Sequence, residues 1–208
     1  MKLLVTGGAG YIGSHVVKAL GQKKHDLVIY DNLSTGNAKA VTYGELVVGN
    51  LEDLSQLESL FIRHKFDGVL HFAGSIVVPE SVENPIKYYK NNTVNSLNLI
   101  NLCQKYGVNK FIFSSTAATY GIPDVAAVSE DTPQRPINPY GWSKLMTEQM
   151  LADVAAAHPM NFGVLRYFNV AGADPKARSG QSTAGATHLI KVAVEAALGR
   201  RPHVDVFG

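Results

Sequence analysis

A doubly wound α/β fold, a parallel sheet with helices on both faces, is what this sequence predicts, and three observations carry the prediction. Short apolar runs alternate with longer amphipathic ones along the chain, the pattern of repeated strand, helix, strand units. The short runs are nearly continuous in Val, Ile, Leu and Phe, as strands covered on both faces must be. The first of them leads into Thr6-Gly7-Gly8-Ala9-Gly10-Tyr11-Ile12-Gly13, a glycine turn of the kind that joins a strand to the helix packed on it.

Taken in order, strands are expected at residues 2–6, 26–31, 45–49, 67–71, 110–114, 162–167 and 204–207, with helices filling the gaps between them. Residues 81–106 read as one long helix with Pro85 near its first turn, where a missing N–H costs nothing. Asn138-Pro139 opens the next helix: the Asn side chain can accept from an otherwise unpaired amide, and proline has no amide to leave unpaired. Residues 172–185, rich in Gly, Ser, Thr and Ala, read as a loop and a boundary. The expected organisation is therefore a Rossmann-type dinucleotide-binding domain over residues 1–170 and the beginning of a smaller C-terminal substrate domain over 171–208. The last run, 204–207, is a strand with nothing after it, so that second domain is expected to be incomplete.

The 208 residues, 46% of them hydrophobic, are enough for one good core. A net charge of +2 with scattered basic residues, adjacent only at Lys23-Lys24 and Arg200-Arg201, offers no electrostatic footprint for nucleic acid. Cys103 is the single cysteine, which excludes an internal disulfide and suits a reducing compartment. The apolar run of residues 1–5 meets glycines too soon for a signal peptide or a membrane span, so a cytoplasmic location is expected. Seven dispersed histidines show no ligand spacing, and no metal site is expected.

Chemistry concentrates in two places. Gly8, Gly10 and Gly13 satisfy GxGxxG, and Gly7, Gly10 and Gly13 satisfy GxxGxxG; glycine permits the tight turn and lets backbone amides reach a pyrophosphate at the helix N-terminus. Asp31 ends the second strand, where a carboxylate accepts from a ribose hydroxyl. It would repel a 2′-phosphate, and no arginine follows in Asn32-Leu33-Ser34-Thr35-Gly36, so NAD is expected rather than NADP. Far downstream stands Tyr140-Gly-Trp-Ser-Lys144. Residues four apart share a helix face, so the phenol and the ammonium can enter one site. A tyrosine base near neutral pH needs its pKa of ~10 lowered by roughly three units, about 4 kcal/mol. One positive charge ~4 Å away at an effective dielectric of ~20 supplies about that; Lys144, helped by an oxidised nicotinamide, is the expected source.

With the glycine turn, Asp31-Asn32-Leu33, His71-Phe72-Ala73-Gly74, Ser114-Ser115-Thr116, YxxxK and Leu165-Arg166-Tyr167-Phe168-Asn169 in this order, the chain resembles the extended short-chain dehydrogenase/reductases, and among them the nucleotide-sugar 4-epimerases. The resemblance implies that Tyr11, Ile12, Asp31, Asn32, Leu33, Ser34, Thr35 and Gly36 contact the dinucleotide, and that Asn50 and Leu51 flank the adenine. It further implies that Phe72, Ala73, Gly74, Ser75, Ile76 and Asn91 line the ribose and diphosphate, with Phe168 near the nicotinamide. Thr116, Tyr140 and Lys144 would form the catalytic set, and Asn169, His188, Val206 and Phe207 would face the UDP-sugar beside Thr116 and Tyr140.

The activity so implied is reversible oxidation at the sugar C4 through a 4-keto intermediate, with UDP-glucose and UDP-galactose as the leading pair. A second reading is an NAD-binding fragment without activity. A third, a nucleotide-sugar 4,6-dehydratase, needs the Asp-Glu that its members carry after the matching Thr, and Ala117-Ala118 stand here. The resemblance also implies a homodimer through a four-helix bundle built from the helix at Ser81 and the helix of Tyr140. Four departures stand out: Ile76 for a lysine, Asn50 for an aspartate, Thr116 for a serine and His188 for an asparagine.

Overall fold

Six strands, β1 (Lys2–Thr6), β2 (Asp26–Asp31), β3 (Glu45–Val48), β4 (Gly68–His71), β5 (Lys110–Ser114) and β6 (Asn161–Leu165), form one parallel sheet in the order β3-β2-β1-β4-β5-β6. The computed structural model that shows them describes residues 1–183 and 188–204. Thr6 pairs with Tyr30 on one side and His71 on the other, and His71 pairs with Phe113. The chain winds outward from β1 to β3, then returns to the other side of β1 at β4. At such a reversal the connections leave in opposite directions and open a crevice at the carboxyl ends of the strands.

Strand residues alternate faces, and the core divides accordingly. Leu3, Val5, Leu27 and Ile29 pack on Val17 of α1 (Tyr11–Gln22). Leu4, Val28, Phe111 and Phe113 face the opposite layer. That layer comprises α2 (Leu54–Arg63), α5 (Asn95–Lys105) and α6 (Pro139–Ala157), which contribute Leu57, Leu60, Leu99, Ile100 and Leu151. Cys103 is fully buried in this second cluster. No helix among the described residues is long and apolar enough to cross a membrane.

The sheet is the doubly wound one that the sequence predicts, with local differences. β3 stops one residue short of the expected range and β4 starts one residue late. β6 occupies 161–165 in place of 162–167 because Arg166 and Tyr167 have other partners: the Arg166 side chain bonds Glu148, and the Tyr167 carbonyl accepts from Ala117 N. The strand expected at 204–207 falls almost wholly outside the described residues; Val204 itself is not in a strand.

The single helix expected over 81–106 is a larger correction. The chain forms α3 (Val78–Glu83), breaks at Asn84 (φ −133°, ψ 70°), resumes as α4 (Pro85–Tyr88), makes one π-helical turn over Tyr89–Val94 and continues as α5. A residue before proline is driven out of the helical region, and the Asn84 side chain caps the new start by accepting from Lys87 N at 3.2 Å. The helix therefore starts afresh at Pro85, and the π turn inserts a residue that rotates α5 about its axis. The last described helix is α7 (Leu189–Ala197).

Candidate active site

The glycine turn is shaped by close approach of backbone to backbone. Gly7 has φ +69°, and a Cβ there would lie 2.4 Å from Ala73 N, so β1 and β4 meet at this point only because the side chain is absent. A Cβ on Gly13 would lie 2.2 Å from Gly7 O; the first turn of α1 rests directly on the loop. Gly10 is the N-cap and offers no side-chain acceptor. The amides of Tyr11, Ile12 and Gly13 thus end α1 without intrahelical partners, a ready anion-binding end. The side chains of Tyr11 and Ile12 go elsewhere: they line a groove of about 340 Å³ with Val170 to Ala173, and the Tyr11 hydroxyl donates to Gly172 O at 2.7 Å.

Asp31 is buried and ties two turns together. Its Oδ2 accepts from Ala9 N at 2.9 Å and its Oδ1 from Leu33 N at 2.8 Å, and each oxygen keeps a further lone pair. Leu33 takes the left-handed conformation at φ 57°, and the Asn32 side chain accepts from Ser34 N at 3.0 Å. A Cβ on Gly36 would lie 3.0 Å from Ala9 Cβ, so the 31–36 turn closes over the glycine turn. Thr35 is exposed on its rim. Asn50 spends its side-chain oxygen on Glu52 N at 3.2 Å and its carbonyl on the Tyr30 hydroxyl at 2.9 Å. Leu51 belongs to the core. Burial, then Asp53, pushes the Tyr30 phenol up to about 12.

The segment after β4 is held from the π turn. Asn92, buried, accepts from Ser75 N at 2.7 Å and donates to Ser75 O and to Ser143 Oγ, both at 3.0 Å. Asn91 donates to Ser75 Oγ at 2.9 Å. Two consecutive side chains thus reach one residue, which the π turn makes geometrically feasible. A Cβ on Gly74 would lie 3.3 Å from Lys144 Nζ. Phe72 and Ala73 pack against the two core clusters, whereas Ile76 is 57% exposed. Sequence reasoning misses Asn92; a pair of asparagines on an expected helix is its one trace.

Tyr140 and Lys144 are placed by α6. Asn138 caps the helix by accepting from Gly141 N at 2.8 Å, with Pro139 at its first position. A Cβ on Gly141 would lie 2.8 Å from Ala118 O, which seats this end of α6 on the turn after β5. There the Thr116 hydroxyl accepts from Ala118 N at 3.1 Å and stands close enough to the Tyr140 phenol to pull its pKa down. Lys144 is 3% exposed. Its ammonium donates to Ser114 O at 3.0 Å and sits 5.0 Å above the Phe113 ring. The Tyr88 ring meets Tyr140 edge-on at 6.3 Å.

Burial raises the Tyr140 phenol above its ordinary value, outweighing the opposite pull of the Thr116 hydroxyl, and Tyr167 adds to the rise. Burial also pushes the Lys144 ammonium down to about 8, against the pull of Glu148. Desolvation thus disfavours both charged forms together, and the pull of Thr116 on Tyr140 and of Glu148 on Lys144 is the smaller effect. Beneath them His71 is fully buried between Thr6 (Nδ1 to Oγ1, 2.6 Å) and Ser96 (Nε2 to Oγ, 2.8 Å), and burial followed by Lys144 pushes it down to about 3.

Gly74, Ser75, Asn91, Thr116, Tyr140 and Lys144 thus converge near the glycine turn. The residues expected to face a sugar are less gathered. Phe168 is 71% exposed and Asn169 is exposed beyond β6. His188 precedes α7 without capping it, and its Nδ1 pairs with Gln181 Nε2 at 2.7 Å. Val206 and Phe207 lie outside the described residues.

Known proteins similar to this chain are consistent in kind. The chain is 55% identical over 208 residues to UDP-glucose 4-epimerase of Azospirillum brasilense, covering all of this chain and 60% of that protein. It is 45% identical over 206 residues to the enzyme of that name from Rhizobium meliloti, covering 99% of this chain and 63% of the relative. The chain therefore spans less than two thirds of the length of these curated relatives. Among solved structures, UDP-glucose 4-epimerase from Brucella ovis in complex with NAD superposes with a TM-score of 0.96 at 44% identity, over 100% of this chain and 64% of that one. The Bifidobacterium longum enzyme in complex with NAD+ and UDP gives 0.94 at 36%, over 100% and 65%. The family model described as NAD dependent epimerase/dehydratase matches residues 3–208, and this chain belongs to that family.

Proposed function

We propose that residues 1–170 bind NAD and that the protein interconverts UDP-glucose and UDP-galactose by reversible oxidation at the sugar C4, with residues 171–208 beginning the half that holds the UDP-sugar. The observation that carries this reading is the meeting of Thr116, Tyr140 and Lys144 at the carboxyl ends of β4 and β5, beside a glycine turn. The residues fit the cofactor: a Cβ on Gly7 or Gly13 would strike backbone, so the cradle is built of main chain, as close approach to a pyrophosphate requires. Asp31 retains lone pairs for ribose hydroxyls, and the 31–36 turn carries no arginine for a 2′-phosphate.

When bound, NAD supplies the acceptor and donor of the C4 hydride. Tyr140 would take the proton of the 4-hydroxyl and return it in the reverse direction, and Thr116, beside the phenol, would hold the same oxygen. Lys144 would bond the nicotinamide ribose and supply positive charge. Glycine turn, Asp31, Asn50, Leu51, Ser75 and Asn91 would hold the dinucleotide. Phe168, Asn169 and His188, with Val206 and Phe207, would turn toward the sugar nucleotide. Ile76 cannot donate to a phosphate, so one contact that a lysine would make there is missing.

A homodimer is supported by apolar side chains left exposed on the segments named for it: Val94 at the end of the π turn, Leu97 on α5, and Trp142 and Met146 on α6. Light scattering on the purified protein tests it. A cytoplasmic location suits the lone buried Cys103.

The test of function is incubation with UDP-galactose and NAD, following UDP-glucose by chromatography, for this chain and for its Tyr140→Phe variant. Conversion is expected, and Tyr140→Phe is expected to lower kcat by ~10²–10⁴-fold while NAD stays bound. Near-normal turnover in the variant would sink the assignment.

A further inference from the structure

Behind Tyr140 and Lys144 lies an ion pair that neither the cofactor nor the sugar reading uses. Glu148 sits one turn beyond Lys144 on α6 and is 5% exposed, on the helix face that Lys144 shares. Its Oε1 accepts the Ser115 hydroxyl. Its Oε2 accepts Arg166 Nε at 2.9 Å, Arg166 Nη2 at 2.7 Å and Gln134 Nε2 at 3.0 Å. Arg166 is fixed from outside: its Nη1 donates to the Tyr120 hydroxyl at 3.1 Å and to Glu130 O at 3.3 Å, and its guanidinium lies 5.5 Å from the Tyr120 ring centre. One carboxylate thereby joins the residue before Thr116, the helix of Tyr140 and Lys144, and the residue just past β6.

Lys144 is a buried cation with a single side-chain hydrogen bond shown, to Ser114 O. The titratable groups around it are His71 from β4, Tyr140 and Glu148 from its own helix, and Tyr167, which bonds Ser114 from beyond β6. Glu148 is the one carboxylate of that set. A buried ammonium deprived of its counter-charge gives up its proton. Ser115, Gln134 and Arg166 take both oxygens of Glu148, two of the bonds being charge-assisted ones from Arg166, so its charge reaches Lys144 through space from the next turn of the same helix.

We propose that Glu148 is a positioning residue: it is the counter-charge that keeps Lys144 a cation and the anchor that holds the Ser115–Thr116 turn on α6, with Arg166 setting how much of that charge Lys144 receives. The catalytic meaning rests on the proposed role of Lys144 in the epimerase reaction; the coupling of the three charges does not. Burial pushes Lys144 down and Glu148 pulls it up, so removing either partner of the ion pair has a signed effect.

The test is a pH titration of the Lys144 Cε resonance in the ¹³C-lysine-labelled chain, assigned by its disappearance in Lys144→Arg. In Glu148→Gln, nearly the same shape without the charge, the midpoint falls by about one pH unit or more. In Arg166→Gln, which frees the carboxylate from its competitor, the midpoint rises. Glu148→Asp keeps the charge, stays nearer to the wild-type midpoint than the Gln variant, and answers the question if Glu148→Gln does not fold. A purely structural pair would loosen the chain in both variants; midpoints that stay put or move in the same direction overturn the proposal, as does an Asp variant that titrates like the Gln one. The titration needs neither NAD nor a sugar nucleotide, so a failure of the epimerase reading leaves its answer intact. In an active protein the same change appears as an alkaline limb of the kcat profile moved to lower pH in Glu148→Gln.

Discussion

At the scale of single residues, the site depends as much on atoms left out as on those present. Gly13 is the clearest case, because its missing Cβ is what lets α1 sit on the Gly7 carbonyl. Gly13→Ala forces a Cβ against the Gly7 carbonyl, and such overpacking costs roughly 1–3 kcal/mol. The urea midpoint of the variant is expected to fall, and its NAD affinity to fall further than the loss of stability alone explains; an unchanged midpoint would show that the turn relaxes freely. His71 makes the opposite point, a polar side chain built deep into the sheet. Folded, it is pushed down to about 3, whereas in the unfolded chain it titrates near ~6.5. Between those values the unfolded chain takes up a proton that the folded one refuses. The stability it confers is complete above the unfolded value and drains away as pH drops toward the folded one, at up to about 1.4 kcal/mol per pH unit. Urea unfolding followed over that window should lose about one proton's worth of slope in His71→Gln, which can still bond both Thr6 and Ser96; an unaltered slope would mean that other groups carry the acid sensitivity.

At the scale of elements, α6 shows how far local chemistry reaches. Asn138 and Pro139 start the helix where the sequence places it, and the cap bond of 2.8 Å to Gly141 N is present. Asn138→Ala is expected to cost about 1 kcal/mol in chemical denaturation and to loosen the turn of helix that carries Tyr140, so that kcat suffers more than NAD binding. Equal losses in both would point to a general weakening instead. The 81–106 region shows where local chemistry stops. Pro85 is legible as a first-turn proline and the break at Asn84 follows from it, but the π turn after it is settled by bonds from outside the helix: Asn92 to Ser75 and Ser143, and Tyr88 to the Val77 backbone at 2.6 Å and 2.9 Å. A helical pattern of apolar residues does not distinguish an α turn from a π turn, since the inserted residue changes the register only of the helix beyond it.

At the scale of the molecule, the strand order places β1 beside β4, and the glycine turn, Asp31, Gly74, Ser75, Asn91, Thr116, Tyr140 and Lys144 lie at the carboxyl end of the sheet. Apolar strands separated by helices are enough to foresee a parallel sheet and most strand limits, because the burial of both faces demands an apolar residue at nearly every position. The GxGxxG spacing, Asp31 and the YxxxK pair are equally legible, being short-range patterns on a strand, a turn and a helix. The sequence by itself therefore determined the fold class, the seat of the glycine cradle and the pairing of Tyr140 with Lys144 on one helix. Only the tertiary structure decided that Asn92 grips the Ser75 segment, that β6 releases Arg166 to Glu148, and that burial works against the charged forms of Tyr140 and Lys144. The physical reason is common to all three. Hydrogen-bond partners on different elements, 17 or 18 residues apart, and the loss of water around a charge are set by which elements pack together and not by the order of residues within any one of them.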